Sequence, residues 1–313
     1  MQLTKRILTL AALLFSAAAF GIEPSGTYLF ASKDSTDLYL DVYNPAPDSP
    51  VTVDGKQKPT IIFIFGGGFK EGERYSEAYG EWFEYMCGRG YRVVSIDYRL
   101  GLKGCKKMGL AQVKLLGDAI NMAVEDLFSA TSFLVENASE LGIDPANVVV
   151  SGSSAGAITS LQAEWEISNS GELSKMLPER FNYAGVMAFS GAVLSFKGFP
   201  SFPKEPCPML ILHGTADRLV TYGKLGFLST HFVGGASLAP VLEKGNCNYR
   251  VYRFKDIGHE ICCSMYGCRT LEEDFLERNV VKGQKVVIDA LVDDPFIEHL
   301  PNFSSRDAKS YYK

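Results

Sequence analysis

Ser154 stands between small residues in Gly152-Ser153-Ser154-Ala155-Gly156, a pattern that sharp strand-to-helix turns use to lift a nucleophilic serine. A serine hydroxyl is a poor nucleophile near neutral pH and needs a positioned base, most often histidine. The chain has four histidines. His259, in Asp256-Ile257-Gly258-His259-Glu260, follows a predicted strand and falls where open parallel sheets place their ligands, which makes it the candidate base. His213 reads as a packed residue at a strand end, and His231 and His299 have no supporting pattern. A carboxylate must then fix the imidazole tautomer and balance its charge. Asp217 follows its strand through Gly214-Thr215-Ala216 and is preferred over Asp256, which lies so close to His259 that the chain would have to fold back sharply. The order Ser, Asp, His also agrees with a serine held on such a turn.

The fourth element is Gly66-Gly67-Gly68-Phe69, directly after a predicted strand. Glycines there leave backbone N–H groups able to turn toward a developing oxyanion, and each such donor typically supplies ~2.7 to 4 kcal/mol of transition-state stabilisation. Gly67 and Gly68 are the expected donors, joined by the N–H of Ala155 beside the nucleophile. A phosphate-binding loop is the poorer reading, since the lysine and Ser/Thr it requires are missing at the right spacing.

These residues need a scaffold that delivers them to one edge. Thr60 to Phe65 is an unbroken β-branched and aromatic run too short for a helix, as expected of a strand buried on both faces. Arg92 to Asp97, Val148 to Ser153, Gly185 to Ser190, Met209 to His213 and Tyr249 to Phe254 repeat the pattern. Helices are predicted between them, over Ser76 to Gly88, Ala111 to Leu141, Ala155 to Ser168, Lys224 into the 240s, and Leu271 to Val281. Gly26 to Ala31 and Leu38 to Tyr43 read as an antiparallel hairpin at the sheet edge. Strict alternation of strand and helix predicts a doubly wound α/β sheet. Gly191 to Pro208, where a lid could be inserted, reads as a Pro-rich loop, so a small or absent cap is expected.

Composition narrows the partners. With 31 Lys and Arg against 36 Asp and Glu, spread along the chain, the net charge of −5 offers no basic stripe for nucleic acid. Lys5 and Arg6, then the apolar run Ile7 to Phe15 and the small residues Ser16 to Ala19, have the order of a secretory signal over residues 1–21. That run is too short to span a bilayer, so a secreted or periplasmic protein without an integral span after signal removal is expected. Export would put the seven cysteines where disulfides are allowed, although their spacing does not give a connectivity. His259, Cys262, Cys263 and Cys268 lack the paired spacing of structural zinc modules, so no metal is expected.

Six stretches in order, Phe65-Gly66-Gly67-Gly68-Phe69, Asp97-Tyr98-Arg99-Leu100, Leu141-Gly142-Ile143-Asp144-Pro145, Gly152 to Gly156, His213-Gly214-Thr215-Ala216-Asp217 and Gly258-His259, resemble the signatures of α/β-hydrolase carboxylesterases. The likeness is to the HGGG, hormone-sensitive-lipase-like branch and to similar secreted carbohydrate esterases, and it extends over about residues 25 to 290. It implies one α/β-hydrolase catalytic domain over residues 22–313, a mostly parallel central sheet flanked by helices, and ester hydrolysis through an acyl-enzyme intermediate without metal or organic cofactor. The substrate implied is a small-molecule or carbohydrate-linked ester, acetylated or feruloylated sugars among them. Alternatives are a general short-chain carboxylesterase, a peptidase or acyltransferase of the same fold, and a catalytically silent binding protein. Phe65 departs from the pattern, standing where the family usually has a histidine that braces the oxyanion loop.

Overall fold

A computed structural model of the protein describes residues 22–105 and 112–293. The export signal expected at 1–21 and Ala111, the expected start of the long helix, lie outside the described residues.

The chain opens with the hairpin Gly26–Lys33 (β1) and Thr36–Tyr43 (β2), paired antiparallel. A two-residue ladder, Thr52–Val53 (β3) with Lys56–Gln57 (β4), leads into Thr60–Ile64 (β5), whose residues are all buried. The remaining core strands are Arg92–Ile96 (β6), Val148–Ser153 (β7) and Gly185–Phe189 (β8). Ala192–Ser195 (β9) and Met209–Gly214 (β10) follow, and then Lys224–Phe227 (β11), Thr230–Gly234 (β12), Tyr249–Phe254 (β13) and Ile288–Val292 (β14). Nine of these strands form the main sheet, in the order β1-β2-β6-β5-β7-β8-β10-β13-β14. From β6 to β14 every pairing is parallel, and β2 joins β6 antiparallel. The continuous apolar runs are thus strands sandwiched between helical layers rather than half-solvated ones. The protein has the α/β-hydrolase fold.

The helices are Gly80–Gly88 (α1), Val113–Glu136 (α2), Ala138–Leu141 (α3), Ala155–Ser168 (α4), Gly235–Lys244 (α5) and Met265–Phe275 (α6). Gly142, at φ 64°, ends α3 in the left-handed conformation that glycine adopts without Cβ strain. Nearly all of α4 is buried, which its small first residues Ala155, Gly156 and Ala157 permit by letting the helix settle onto β5, β7 and β8. Among the described residues, no helix is long and apolar enough to cross a membrane.

The structure corrects three expectations. The stretch from Lys224 is not helical until Gly235: β11 and β12 form a hairpin, and β12 pairs with β9 in a separate three-stranded antiparallel sheet. Gly191 to Pro208 is accordingly not all loop. Gly234 permits the close turn before the helix, since a Cβ there would lie 1.7 Å from the Thr221 carbonyl oxygen. Tyr249–Phe254 is also not the last strand, because β14 adds beside it at the sheet edge.

Candidate active site

The site begins at the turn between β7 and α4. Ser154 has φ 51° and ψ −111°, a sparsely populated conformation for a residue with a side chain, costing on the order of 1 to 3 kcal/mol. The neighbours that make the turn possible have no room for a side chain. A Cβ on Gly152 would come within 2.3 Å of the Gly156 carbonyl carbon, and one on Gly156 would sit 2.0 Å from the Ile64 carbonyl oxygen. The second clash shows how closely the start of α4 abuts the end of β5, which carries the glycine loop. The Ser154 N–H donates to the Phe189 carbonyl at 2.9 Å and locks the turn against β8.

The loops after β10 and β13 bring in the other two side chains. A Cβ on Gly214 would lie 2.2 Å from the Gly258 carbonyl oxygen, so the glycine lets these loops touch. The Thr215 N–H donates to Phe254 O and the Ala216 N–H to Ile257 O, each at 2.9 Å. His259 begins the short 3₁₀ turn His259–Cys263, which is tied to the nucleophile turn because Ser153 Oγ donates to Cys262 O at 2.8 Å. The result is a continuous relay. Ser154 Oγ lies 2.8 Å from His259 Nε2, and His259 Nδ1 lies 2.8 Å from Asp217 Oδ2. An ionised Asp217 accepts from Nδ1–H, which leaves Nε2 as acceptor for the serine proton. Asp256, the competing carboxylate, is exposed, and its N–H donates to Thr215 Oγ1 instead.

Electrostatics follow from these partners. Burial pushes the Asp217 carboxyl upward, but donors from His213 and His259 outweigh it and hold the group well below the ordinary carboxylate range. Its other oxygen, Oδ1, accepts the N–H groups of Leu219 at 2.9 Å and Val220 at 3.0 Å. For His259, burial pulls toward the neutral form, while the Cys262 sulfur and the Asp217 carboxylate favour the cation, and the net direction is upward.

The glycine loop turns tightly, with Gly67 at φ 112° and Gly68 at φ 63°. The Gly67 carbonyl accepts from the Lys70 and Glu71 N–H groups, and a Cβ on Gly67 would fall 1.9 Å from Glu71 O. At the start of α4 the Ala155 N–H has no carbonyl one helical turn earlier to bond. Phe65, in the place of the family histidine, does not leave the loop unsupported. Its ring stacks on Tyr98 at 4.4 Å, and Tyr98 Oη donates to Phe65 O at 3.1 Å. The Gly66 N–H donates to Tyr79 Oη at 3.0 Å. Two buried tyrosines therefore hold the Phe65–Gly66 peptide immediately before Gly67 and Gly68.

Sequence reasoning missed both tyrosine roles. Tyr98 is buried beneath the loop, Arg74 pairs with Asp41 and Asp97, and Tyr75 is largely exposed. It also missed His213, whose Nε2 lies 3.2 Å from Asp217 Oδ2. The four-residue spacing in His213-Gly214-Thr215-Ala216-Asp217 was a visible signal, though one that requires the loop to bend back on its strand. His231 does not join the site; it sits on β12, 2.9 Å from Leu228 O. His299 lies outside the described residues.

The BD-FAE family model matches residues 40–193, which include the glycine loop and the nucleophile turn. Neuroligin-2 of Mus musculus is 29% identical over 154 residues, 44% of this chain and 17% of that protein. Juvenile hormone esterase of Heliothis virescens is 28% identical over 132 residues, 41% of this chain and 22% of that protein. Esterase B1 of Culex pipiens is 33% identical over 99 residues, 32% of this chain and 17% of that protein. The match thus spans less than a quarter of each of these relatives. Among solved structures, the propionate-bound esterase 2 of Thermogutta terrifontis superposes with a TM-score of 0.57 at 22% identity, covering 80% of this chain and 93% of that one, a likeness of fold. In its ordered signatures, in the family model over residues 40–193 and in these partial matches the chain is similar to α/β-hydrolase carboxylesterases, and it shares their fold.

Proposed function

We propose that the protein is a serine hydrolase that cleaves carboxylic esters of short acyl groups. The observation that carries this reading is the relay itself, two 2.8 Å contacts from Ser154 through His259 to Asp217, built on a strained turn whose glycines admit no side chain. Ser154 Oγ attacks the ester carbonyl carbon and passes its proton to His259 Nε2, and Asp217 balances the imidazolium. The N–H groups of Gly67, Gly68 and Ala155 receive the oxyanion. When the tetrahedral intermediate collapses, His259 returns the proton to the leaving alcohol and Ser154 keeps the acyl group. A water molecule that gives its proton to His259 then releases the acid and restores the serine.

The short acyl group is supported by the propionate- and butyrate-bound forms of the Thermogutta terrifontis esterase, which shares this fold. The three-stranded sheet built after β8 in place of a helical lid suits an alcohol portion that is bulky or polymer-attached, such as an acylated sugar. Residues 1–21, read as an export signal, would deliver the enzyme to extracellular or periplasmic esters.

The test is a panel of p-nitrophenyl esters of increasing acyl length beside acetylated and feruloylated oligosaccharides, run with the wild type and Ser154→Ala. Turnover that peaks at two to four acyl carbons and vanishes in the variant supports the reading. Full activity in Ser154→Ala overturns it.

A further inference from the structure

A buried imidazole outside the Ser154–His259–Asp217 relay shares the relay's carboxylate. His213 is the penultimate residue of β10 and is wholly buried. The Gly235 N–H, at the start of α5, approaches its Nδ1 at 3.4 Å, which makes Nδ1 an acceptor and puts the ring proton on Nε2. That Nε2–H faces two acceptors at 3.2 Å, Val220 O and Asp217 Oδ2. The edge of the ring meets Tyr222 at 5.7 Å, so the imidazole is held from three sides. Oδ2 is the same oxygen that receives His259 Nδ1, while Oδ1 is occupied by the Leu219 and Val220 amides. The carboxylate thus has a donor in each direction it could turn.

We propose that His213 is a positioning residue for the hydrolytic reaction: its Nε2–H fixes the Asp217 oxygen that orients His259 and takes a share of that oxygen's charge. The proposal rests on the esterase reading of the site. Sharing the charge tempers how strongly Asp217 favours the His259 cation, so more of His259 is in the neutral form that accepts the serine proton. The ionisable side chains facing this group are His259 and Cys262 from the 3₁₀ turn, Asp217 from the loop after β10, and Tyr222 ahead of β11. Of these, His259 and Asp217 set the acid limb of the rate profile.

His213→Leu removes the donor, and His213→Gln puts an amide N–H near the place of Nε2. The Leu variant is expected to lose about 10- to 100-fold in kcat with KM within about 2-fold, and the Gln variant to recover most of the loss. The acid limb of kcat/KM should move up by about half a pH unit in the Leu variant, because Oδ2 then directs its charge to His259 alone. In an Asp217→Asn background the Leu substitution should cost less than about 2-fold more. A Leu variant with wild-type kcat and an unmoved limb overturns the proposal, as does a Leu loss that multiplies undiminished with that of Asp217→Asn. Should the Leu variant fail to fold, His213→Met, which also fills the pocket without a donor, takes its place: a limb moved up and no added cost in the Asp217→Asn background support the proposal, and an unmoved limb or a multiplicative loss overturns it. A wild type that neither hydrolyses esters nor reacts with a fluorophosphonate would fail the esterase reading instead, an outcome separate from all of these.

Discussion

Two buried acidic regions of this molecule make opposite use of burial. At the rim of the sheet, Asp217 has two backbone amides on one oxygen and two imidazoles on the other, and its carboxyl is held well below the ordinary range. Between α1 and α6, Glu272 is wholly buried with Trp82 Nε1 donating to it at 2.7 Å, and burial pushes its carboxyl well above the ordinary range. Glu164, inside α4, resembles Glu272: it accepts the Cys207 N–H at 2.9 Å and is pushed up to about 7 by burial. Burial is common to all three, and the donors differ. Desolvation alone neutralises a carboxylate, whereas a set of aimed N–H groups keeps it charged where a positive imidazole must be balanced.

The largest effect expected from breaking this contrast comes from removing the charge at the rim. Asp217→Asn should lower kcat by about 10³- to 10⁴-fold, because an amide donor opposite Nδ1 favours the wrong imidazole tautomer. The pH profile adds a sign. Activity needs neutral His259, whose ionisation is raised above the ordinary imidazole value of about 6.5, so the wild-type acid limb of kcat/KM should lie above that pH. Whatever residual activity Asp217→Asn retains should show the limb displaced downward.

A smaller effect is expected at the oxyanion loop, which donors also hold but which carries no fixed charge. Tyr98→Phe keeps the stack on Phe65 and removes the donor to its carbonyl. We expect kcat to fall by about 5- to 20-fold with little change in folding stability, since one neutral hydrogen bond contributes only about 1 kcal/mol. Steady-state kinetics beside thermal unfolding would check this.

The smallest effect on catalysis, none, is expected in the neutral region. The folded state favours protonated Glu164, so that the wild type loses stability as pH rises from the unfolded carboxyl value near 4.5 through about 7. Glu164→Gln should escape this loss, unfolding at a higher temperature than the wild type at pH 8 by the equivalent of about 1 to 3 kcal/mol. The difference should shrink toward pH 4, with esterase activity unchanged.

What the sequence disclosed follows the same division between local and distant causes. The nucleophile turn was legible because its requirements are local: a buried strand, a serine, small neighbours and a helix lie within about twenty residues. Asp217 was separated from Asp256 by a local argument too, the difficulty of folding back over three residues. His213 was read as packing because its value depends on where Asp217, Val220 and Gly235 come to lie, a product of the loop after β10. Tyr79 and Tyr98 reach the glycine loop from separate elements; Tyr98 falls in the Asp97-Tyr98-Arg99-Leu100 signature, but nothing along the chain marks its support of the loop, and nothing marks Tyr79 at all. The hairpin β11–β12 was taken for helix, and its apolar residues Leu225, Phe227 and Leu228 stand largely exposed, so no buried face marks it as strand. Ile288–Val292 did carry alternation, and as an edge strand half open to solvent it lacks the continuous apolar run that revealed the inner strands.

Covalent labelling tests most directly whether the relay makes Ser154 a nucleophile. The protein is treated with a fluorophosphonate and digested, and the adduct is located by mass spectrometry in the wild type, Ser154→Ala and His259→Ala. One adduct on Ser154, absent from Ser154→Ala and formed at least about 10³-fold more slowly in His259→Ala, is the predicted result. An adduct on another residue, or labelling of Ser154 at an undiminished rate without His259, would contradict the account.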